Sequence, residues 1–416
     1  MGKTWMLREF GRQYFADVAY FSFDLDPALS DLFAKTKDPK RIVEFLGLLQ
    51  GRPIIIGQTL LILDEIQECN SALNALKYFC ENLPELHVAA SGSFLGVALS
   101  KPAAFPVGKV NFLRLFPMSF QEFLLATGGE ALLSFCAQAS LAEPLPELVL
   151  QQLQERLQQY WLVGGMPAVV NCWVEQRSLE QVDLRQAELL LAYERDFSKH
   201  AEKRMVPKLW QIWDSLPAQL AKENKKFQYA KIQAGGRAKE YEDAVAWLAN
   251  TGLIHKVTKI SKPGLPLSAY EDTDSFKLYM LDVGLLRAKA GLSAKVLLQG
   301  DAFFTEFKGS LIENFFLQEF MAHHTKDVIS HQSIVHYWAS EARAEVDFVV
   351  PLGDSNVPVE IKSGNAVRSK SLRMYMDRYQ VSQGYRISPL NLRSDGGILN
   401  VPLSMIAEMH NPKSRS

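Results

Sequence analysis

Along the first 125 residues, apolar runs of strand length alternate with segments whose apolar positions recur every three to four residues. Trp5, Met6, Leu7 and Phe10 mark an amphipathic helix directly after Gly2-Lys3-Thr4. Residues 18–25 read as a strand, 29–50 as helix, and 59–63 as a second strand that runs into the adjacent acids Asp64 and Glu65. A helix over 71–82 leads to a third strand, 86–90, which ends in the polar turn Ser91-Gly92-Ser93, and 109–115 is a candidate last strand. This alternation predicts an α/β domain over 1–125. Residues 126–200 read as helical, broken at Gly164-Gly165-Met166-Pro167. Within 201–290, helical segments are followed by 247–260 (WLANTGLIHKVTKI) and 275–286 (SFKLYMLDVGLL), which read as a pair of strands, an order that suits a winged-helix-like unit. An apolar helix, 307–320, opens a region over 291–395, where strands 345–350 and 357–361 flank Pro351-Leu352-Gly353. Residues 396–416 read as a tail, expected to be disordered after Glu408.

Composition narrows the class. A chain of 416 residues predicts several domains. Its 48% hydrophobic and 22% charged residues are ordinary for a globular protein. No run approaches the roughly 20 apolar residues that a membrane-spanning helix needs. No leader is evident, and the four cysteines lack C-x-x-C spacing, so the cytoplasm is the default expectation and no membrane partner is expected. The net charge of -1 conceals nine Lys/Arg against four Asp/Glu between Lys222 and Lys262. Such a patch, with Phe227, Tyr229, Tyr241 and Trp247 close by, could face nucleic acid, but a solvated surface and a helical core explain it more simply.

Chemistry enters at the N-terminus. Gly2-Lys3-Thr4 opening a helix is the back half of a phosphate-binding loop, in which backbone N–H groups and a lysine cradle phosphates. The apolar strand ending in Asp64-Glu65 supplies the acids such a site needs downstream. Gly2, Lys3 and Thr4 are therefore read as binding ATP, with Thr4 and Asp64 holding Mg²⁺ and Glu65 activating water. Ser91 and Ser93 are placed near the γ-phosphate. The front of the glycine loop and the first strand would lie before Met1, so the chain is expected to be N-terminally truncated and its ATPase core incomplete.

A second constellation is Glu313, Asp347, Glu360 and Lys362. Glu360 and Lys362 lie two apart on a strand and emerge on one face. The spacing D-x(12)-E-x-K resembles the restriction-endonuclease-like fold. That resemblance implies that Asp347 and Glu360 bind Mg²⁺, with Glu313 as an accessory acid and Lys362 positioning the attacking water. A cross-strand ion pair on an interaction scaffold is the competing reading.

The motifs GKTWMLREF, LLILDEIQ, VAASGSFLG, RLFPMSFQEFL, LVGGMPAVV, KLYMLDVGLL, GSLIENFFLQEF, AEVDFVV and PVEIKSG occur in that order over nearly the whole chain. Together they resemble prokaryotic AAA-type P-loop ATPases that carry a C-terminal domain of unknown function. The resemblance implies an ATPase core (1–125), a helical lid (126–200), the winged-helix-like unit (201–290) and the nuclease-like α/β domain (291–395). It implies a nucleotide-dependent switch acting on DNA or a protein partner, with no membrane partner and with assembly into a homo-oligomer allowed, and with activity limited by the incomplete loop. Two alternatives stand beside it: a non-catalytic interaction module, and a Mg²⁺-dependent nuclease with a vestigial ATPase part.

Overall fold

The computed structural model describes residues 2–93, 108–222, 225–232, 236–293, 305–324, 334–341, 344–364 and 368–409. The chain divides into two compact units: Met1–Leu115 with Asn250–Gly252, and Phe116–Ala249 with Leu253–Ser416.

In the first unit, α1 (Lys3–Tyr14) is followed by β1 (Asp17–Ser22), α2 (Ala28–Lys35), α3 (Pro39–Gln50), β2 (Thr59–Asp64), α4 (Asn70–Asn82) and β3 (His87–Ala90). The expected single helix over 29–50 is two. Pro39 disfavours helical backbone at the residue before it, and Asp38 caps α3 by accepting from the Lys40 N–H. The three strands are parallel in the order β1-β2-β3, with Ser22 opposite Asp64 and Leu63 opposite Ala90. Parallel pairing brings the ends of β2 and β3 to one edge, where polar residues follow both. β2 is buried at every position. Leu61 and Leu63 join Phe33, Leu46 and Phe79 in the core beneath α2, α3 and α4. On α1, a side chain at Gly11 would meet Val18 Cγ2 at 2.5 Å, so glycine lets this helix lie close on the sheet. Residues 109–115, expected as a last strand, form none, because a strand needs a ladder partner and among the described residues neither sheet pairs with them.

The second unit begins with five helices: α5 (Phe120–Ala126), α6 (Glu130–Gln138), α7 (Glu147–Val163), α8 (Pro167–Gln176) and α9 (Leu179–His200). It continues with α10 (Val206–Leu220), α11 (Ala238–Asn250), β4 (Ile254–Ile260), β5 (Glu271–Met280) and α12 (Val283–Lys289). After α13 (Thr305–His324) come β6 (His336–Ala339), β7 (Glu345–Leu352), β8 (Ser355–Ile361), α14 (Lys370–Tyr379), β9 (Gly384–Ser388), β10 (Arg393–Asp395) and β11 (Ile398–Pro402). One sheet of eight strands runs β10-β11-β9-β8-β7-β6-β4-β5. The β4–β5 pair, expected to close a separate small unit, is instead joined to β6 by parallel pairing. The boundary expected at 290/291 therefore falls inside one sheet. The expected tail is also corrected. β11 is buried along its whole length between β9 and β10, and 403–408 continue as a 3-10 turn; residues 410–416 lie outside the described part.

α13 holds this unit together through polar contacts. Asn314 accepts from the Met280 N–H at 2.8 Å and donates to its C=O at 3.0 Å. Gln318 accepts from the Val283 N–H at 2.9 Å and donates to the Tyr160 hydroxyl at 2.6 Å. Glu319 accepts from the Phe120 N–H at 2.8 Å. These side chains satisfy backbone groups that burial would otherwise strand, while Phe315, Phe316 and Phe320 fill the core.

Candidate functional site

The helix α1 is preceded by Gly2, which adopts φ 76° and gives no side-chain cap, so the first N–H groups of the helix are unclaimed by a capping side chain. A left-handed glycine before a helical turn forms an anion-binding nest. Lys3 is half-buried. Burial draws its ammonium below the ordinary lysine range, and Glu65 and Asp64 act in the opposite direction. Its charge therefore lies within the field of both acids.

Asp64, at the end of β2, is buried and saturated with donors. Oδ2 accepts from Thr4 Oγ1 at 2.7 Å and from the Tyr20 hydroxyl at 2.8 Å. Oδ1 accepts from Ser91 Oγ and from the Glu65 N–H at 3.1 Å. Burial alone would raise the Asp64 carboxyl, but the bonds from Ser91, Thr4 and Tyr20 leave it below its usual value. Glu65 stands in the left-handed region at φ 51°, an uncommon backbone for a residue with a side chain. Its carboxylate is fixed by Gln67 Nε2 at 2.6 Å, the Ser93 N–H at 3.2 Å and Ser93 Oγ at 3.0 Å. Ser91 and Ser93 thus hold one acid each. The residues picked from sequence (Gly2, Lys3, Thr4, Asp64, Glu65, Ser91 and Ser93) meet in one place. The end of the VAASGSFLG motif, residues 94–96, lies outside the described residues. Tyr20 was missed, because a tyrosine on a buried strand reads as core until the neighbouring strand is in place.

Residues 1–124 match the AAA domain family. The match supports an AAA-type ATPase family. Residues 154–296 and 308–405 match two domains of unknown function, DUF8612 and DUF4143. Neither the curated proteins nor the solved structures include a match to this chain. The AAA domain suggests an ATPase-like, nucleotide-binding function, and membership of such a family implies nucleotide and usually Mg²⁺. Among the described residues, no helix is long and apolar enough to cross a membrane.

In the second unit, outside the AAA domain, the expected nuclease residues are engaged with protein partners. Glu313 is bonded to Lys225 and accepts from the Tyr279 hydroxyl at 2.9 Å. Asp347 accepts from the Ile361 N–H at 2.8 Å. Glu360 pairs with Lys362 at 2.6 Å and stands opposite Arg386 across the β8–β9 ladder. Among the described residues, no group of three or more His, Cys, Asp or Glu is placed to hold a metal ion, and the expected Mg²⁺ ligands Asp347 and Glu360 make the protein contacts just given. Glu313 instead belongs to a buried ionic cluster with Lys225 and Lys277, which sequence spacing could not reveal.

The lysines of the basic stretch are also used internally. Lys225 reaches Glu313, Lys226 donates to Ser275 Oγ at 2.8 Å, and Lys256 lies 4.4 Å from the centroid of the Phe276 ring. Phe227 is buried and stacks on Phe276, while Tyr241 and Trp247 are buried as well, so these aromatics are core.

Asp347 yields a pH prediction. Burial, then the neighbouring Glu313 charge, raise its carboxyl from 3.8 to about 7, against the opposing pull of Lys277. A carboxyl with a raised folded-state value is held protonated by the fold. Its favourable contribution is complete below about pH 4 and is lost as pH rises to about 7. Asp347→Asn keeps an acceptor for Ile361 and removes the charge. The substitution should flatten that decline in urea-denaturation midpoints measured from pH 4 to pH 8, and an unchanged slope would refute the assignment.

Proposed function

We propose that the first unit binds a nucleoside triphosphate with Mg²⁺ and acts as an ATP-dependent switch on a nucleic-acid or protein partner. The observation that carries this reading is the meeting of Lys3, Thr4, Asp64 and Glu65 at one end of a parallel sheet, beside an uncapped helix N-terminus. The residues present fit the group. Gly2 and the first N–H groups of α1 would hold phosphate oxygens, with Lys3 neutralising the β- and γ-phosphates. The Thr4 hydroxyl, already oriented by Asp64, would be the metal ligand, and Asp64 would order the metal's water shell. When bound, Mg²⁺ supplies charge neutralisation of the phosphates.

Glu65 would serve as the base. Its backbone strain and three hydrogen bonds fix the carboxylate before any substrate arrives, which lowers the entropy lost on orienting a water. Ser93 connects that carboxylate to the turn after β3. Lys109 makes a surface ion pair with Glu81 at 3.2 Å.

The test is titration of the full chain with ATP and Mg²⁺ by calorimetry. Wild-type protein should bind, and Lys3→Ala should weaken binding by about tenfold or more, the cost of one charge-assisted phosphate contact. Glu65→Gln should bind and fail to hydrolyse. Wild-type protein that binds no nucleotide at millimolar concentration would remove the reading.

A further inference from the structure

The saturation of Asp64 has a cause outside the residues assigned above. Four donors surround this carboxylate, and three of them, the Thr4 hydroxyl, the Ser91 hydroxyl and the Glu65 N–H, come from the segments that build the phosphate end of the site. The fourth is the Tyr20 hydroxyl, 2.8 Å from Oδ2 and delivered by the neighbouring strand β1. Its ring is held in turn by the Arg8 guanidinium, 3.8 Å from the ring centroid, on the second turn of α1. Oδ2 therefore accepts from Thr4 and Tyr20 together. A carboxylate oxygen offers two in-plane lone pairs, and here both are taken. A hydrated divalent cation ligated by Thr4 would present its water protons to the same oxygen.

We infer that Tyr20 is a positioning residue that sets the divalent-metal affinity of this site by competing for Asp64 Oδ2. This inference rests on the nucleotide-site reading and adds a regulator to it. While the Tyr20 bond persists, Asp64 is turned towards β1 and shared between two hydroxyls. Metal binding requires Tyr20 to give up its bond or Thr4 to rotate away from it. The arrangement predicts a site that is locked shut by its own hydrogen bonds in the absence of metal and that opens at a cost in metal affinity.

Mn²⁺ serves as the probe, in place of Mg²⁺, because its free and bound forms are separated by electron paramagnetic resonance. The full-length chain is titrated with Mn²⁺ at fixed ATP, as wild type, Tyr20→Phe and Tyr20→Leu, with circular dichroism confirming the fold of each. Loss of one competing charge-assisted hydrogen bond should lower the Mn²⁺ dissociation constant about three- to tenfold in both variants. Phe keeps the ring beneath Arg8 and Leu does not, so agreement between them isolates the hydroxyl. If both variants match wild type, or bind Mn²⁺ more weakly, the competition is overturned. The two readings separate cleanly. Binding of Mn²⁺-ATP that is lost in Lys3→Ala but unchanged in Tyr20→Phe overturns the role of Tyr20 alone. Absence of any nucleotide-dependent Mn²⁺ signal in wild type overturns both.

Discussion

Replacement of Asp282 by Asn should destabilise the second unit by about 2–4 kcal/mol, although the substitution is isosteric and removes a buried charge. Asp282 is fully buried, and burial pushes its carboxyl up to about 6. Removal of such a charge would ordinarily relieve the fold. Here both oxygens are acceptors for fixed donors. Oδ2 accepts from the Gly165 N–H at 2.6 Å and from Gln318 Nε2 at 3.3 Å, and Oδ1 accepts from the Leu285 N–H at 2.9 Å. Whichever way an Asn side chain turns, its NH₂ meets a backbone N–H. The surroundings cannot retreat: a side chain at Gly164 would lie 2.3 Å from Asp282 Oδ1, and one at Gly284 would lie 2.7 Å from the Gly164 backbone. The LVGGMP and LDVGLL segments therefore form a clasp between a carboxylate and closely approaching backbone. Urea denaturation followed by tryptophan fluorescence measures the loss, and a variant within 0.5 kcal/mol (about the scatter expected of a surface change) would refute the account.

Lys277→Met should cost about 3–5 kcal/mol, the range for breaking a buried ion pair on one side. The Lys277 side chain is almost wholly buried, bonds Glu345, and lies 4.8 Å from the Tyr337 ring centroid. Despite burial, the Coulombic pull of Glu345, Glu313 and Asp347 raises its ammonium above the lysine range. A group whose folded value exceeds its unfolded value contributes stability that is full below the unfolded value and is lost as pH rises through the folded one. Lys277 therefore stabilises the fold throughout the neutral range. In its absence Lys225 is left to face Glu313 and Asp347, and Asp347, raised to about 7, gains its charge between pH 5 and pH 8. The measured loss should be larger at pH 8 than at pH 5, and Glu345→Gln in the same background should restore part of it. A loss that is independent of pH would show that Met fails through shape rather than charge.

How far the candidate site was legible in sequence depended on what each residue needs. Lys3 and Thr4 follow a glycine at a helix start, and Asp64-Glu65 follows an apolar strand, so local pattern sufficed to mark them. Ser91 and Ser93 were marked for position alone, and the fold shows what they touch: the two acids. Glu313 was noted because an acid beside an apolar helical face is unusual. Its burial was real, but its partners, Lys225 and Tyr279, lie 88 and 34 residues away along the chain. The resemblance implied a catalytic acid where the fold built an ion pair with Lys225.

Periodicity and punctuation determined the order of strands and helices over residues 3–90, apart from the split before Pro39, because each depends only on which face of one element is apolar. They also marked Gly2-Lys3-Thr4 as a candidate phosphate contact, since a helix start and its lysine are neighbours in sequence. Tertiary structure alone decided that β4 and β5 extend the sheet of the C-terminal strands, that 398–402 is a buried strand rather than tail, and that Tyr20 claims Asp64. Those outcomes are set by hydrogen-bond partners brought together from distant segments, and a buried polar group declares its role only when its partner arrives.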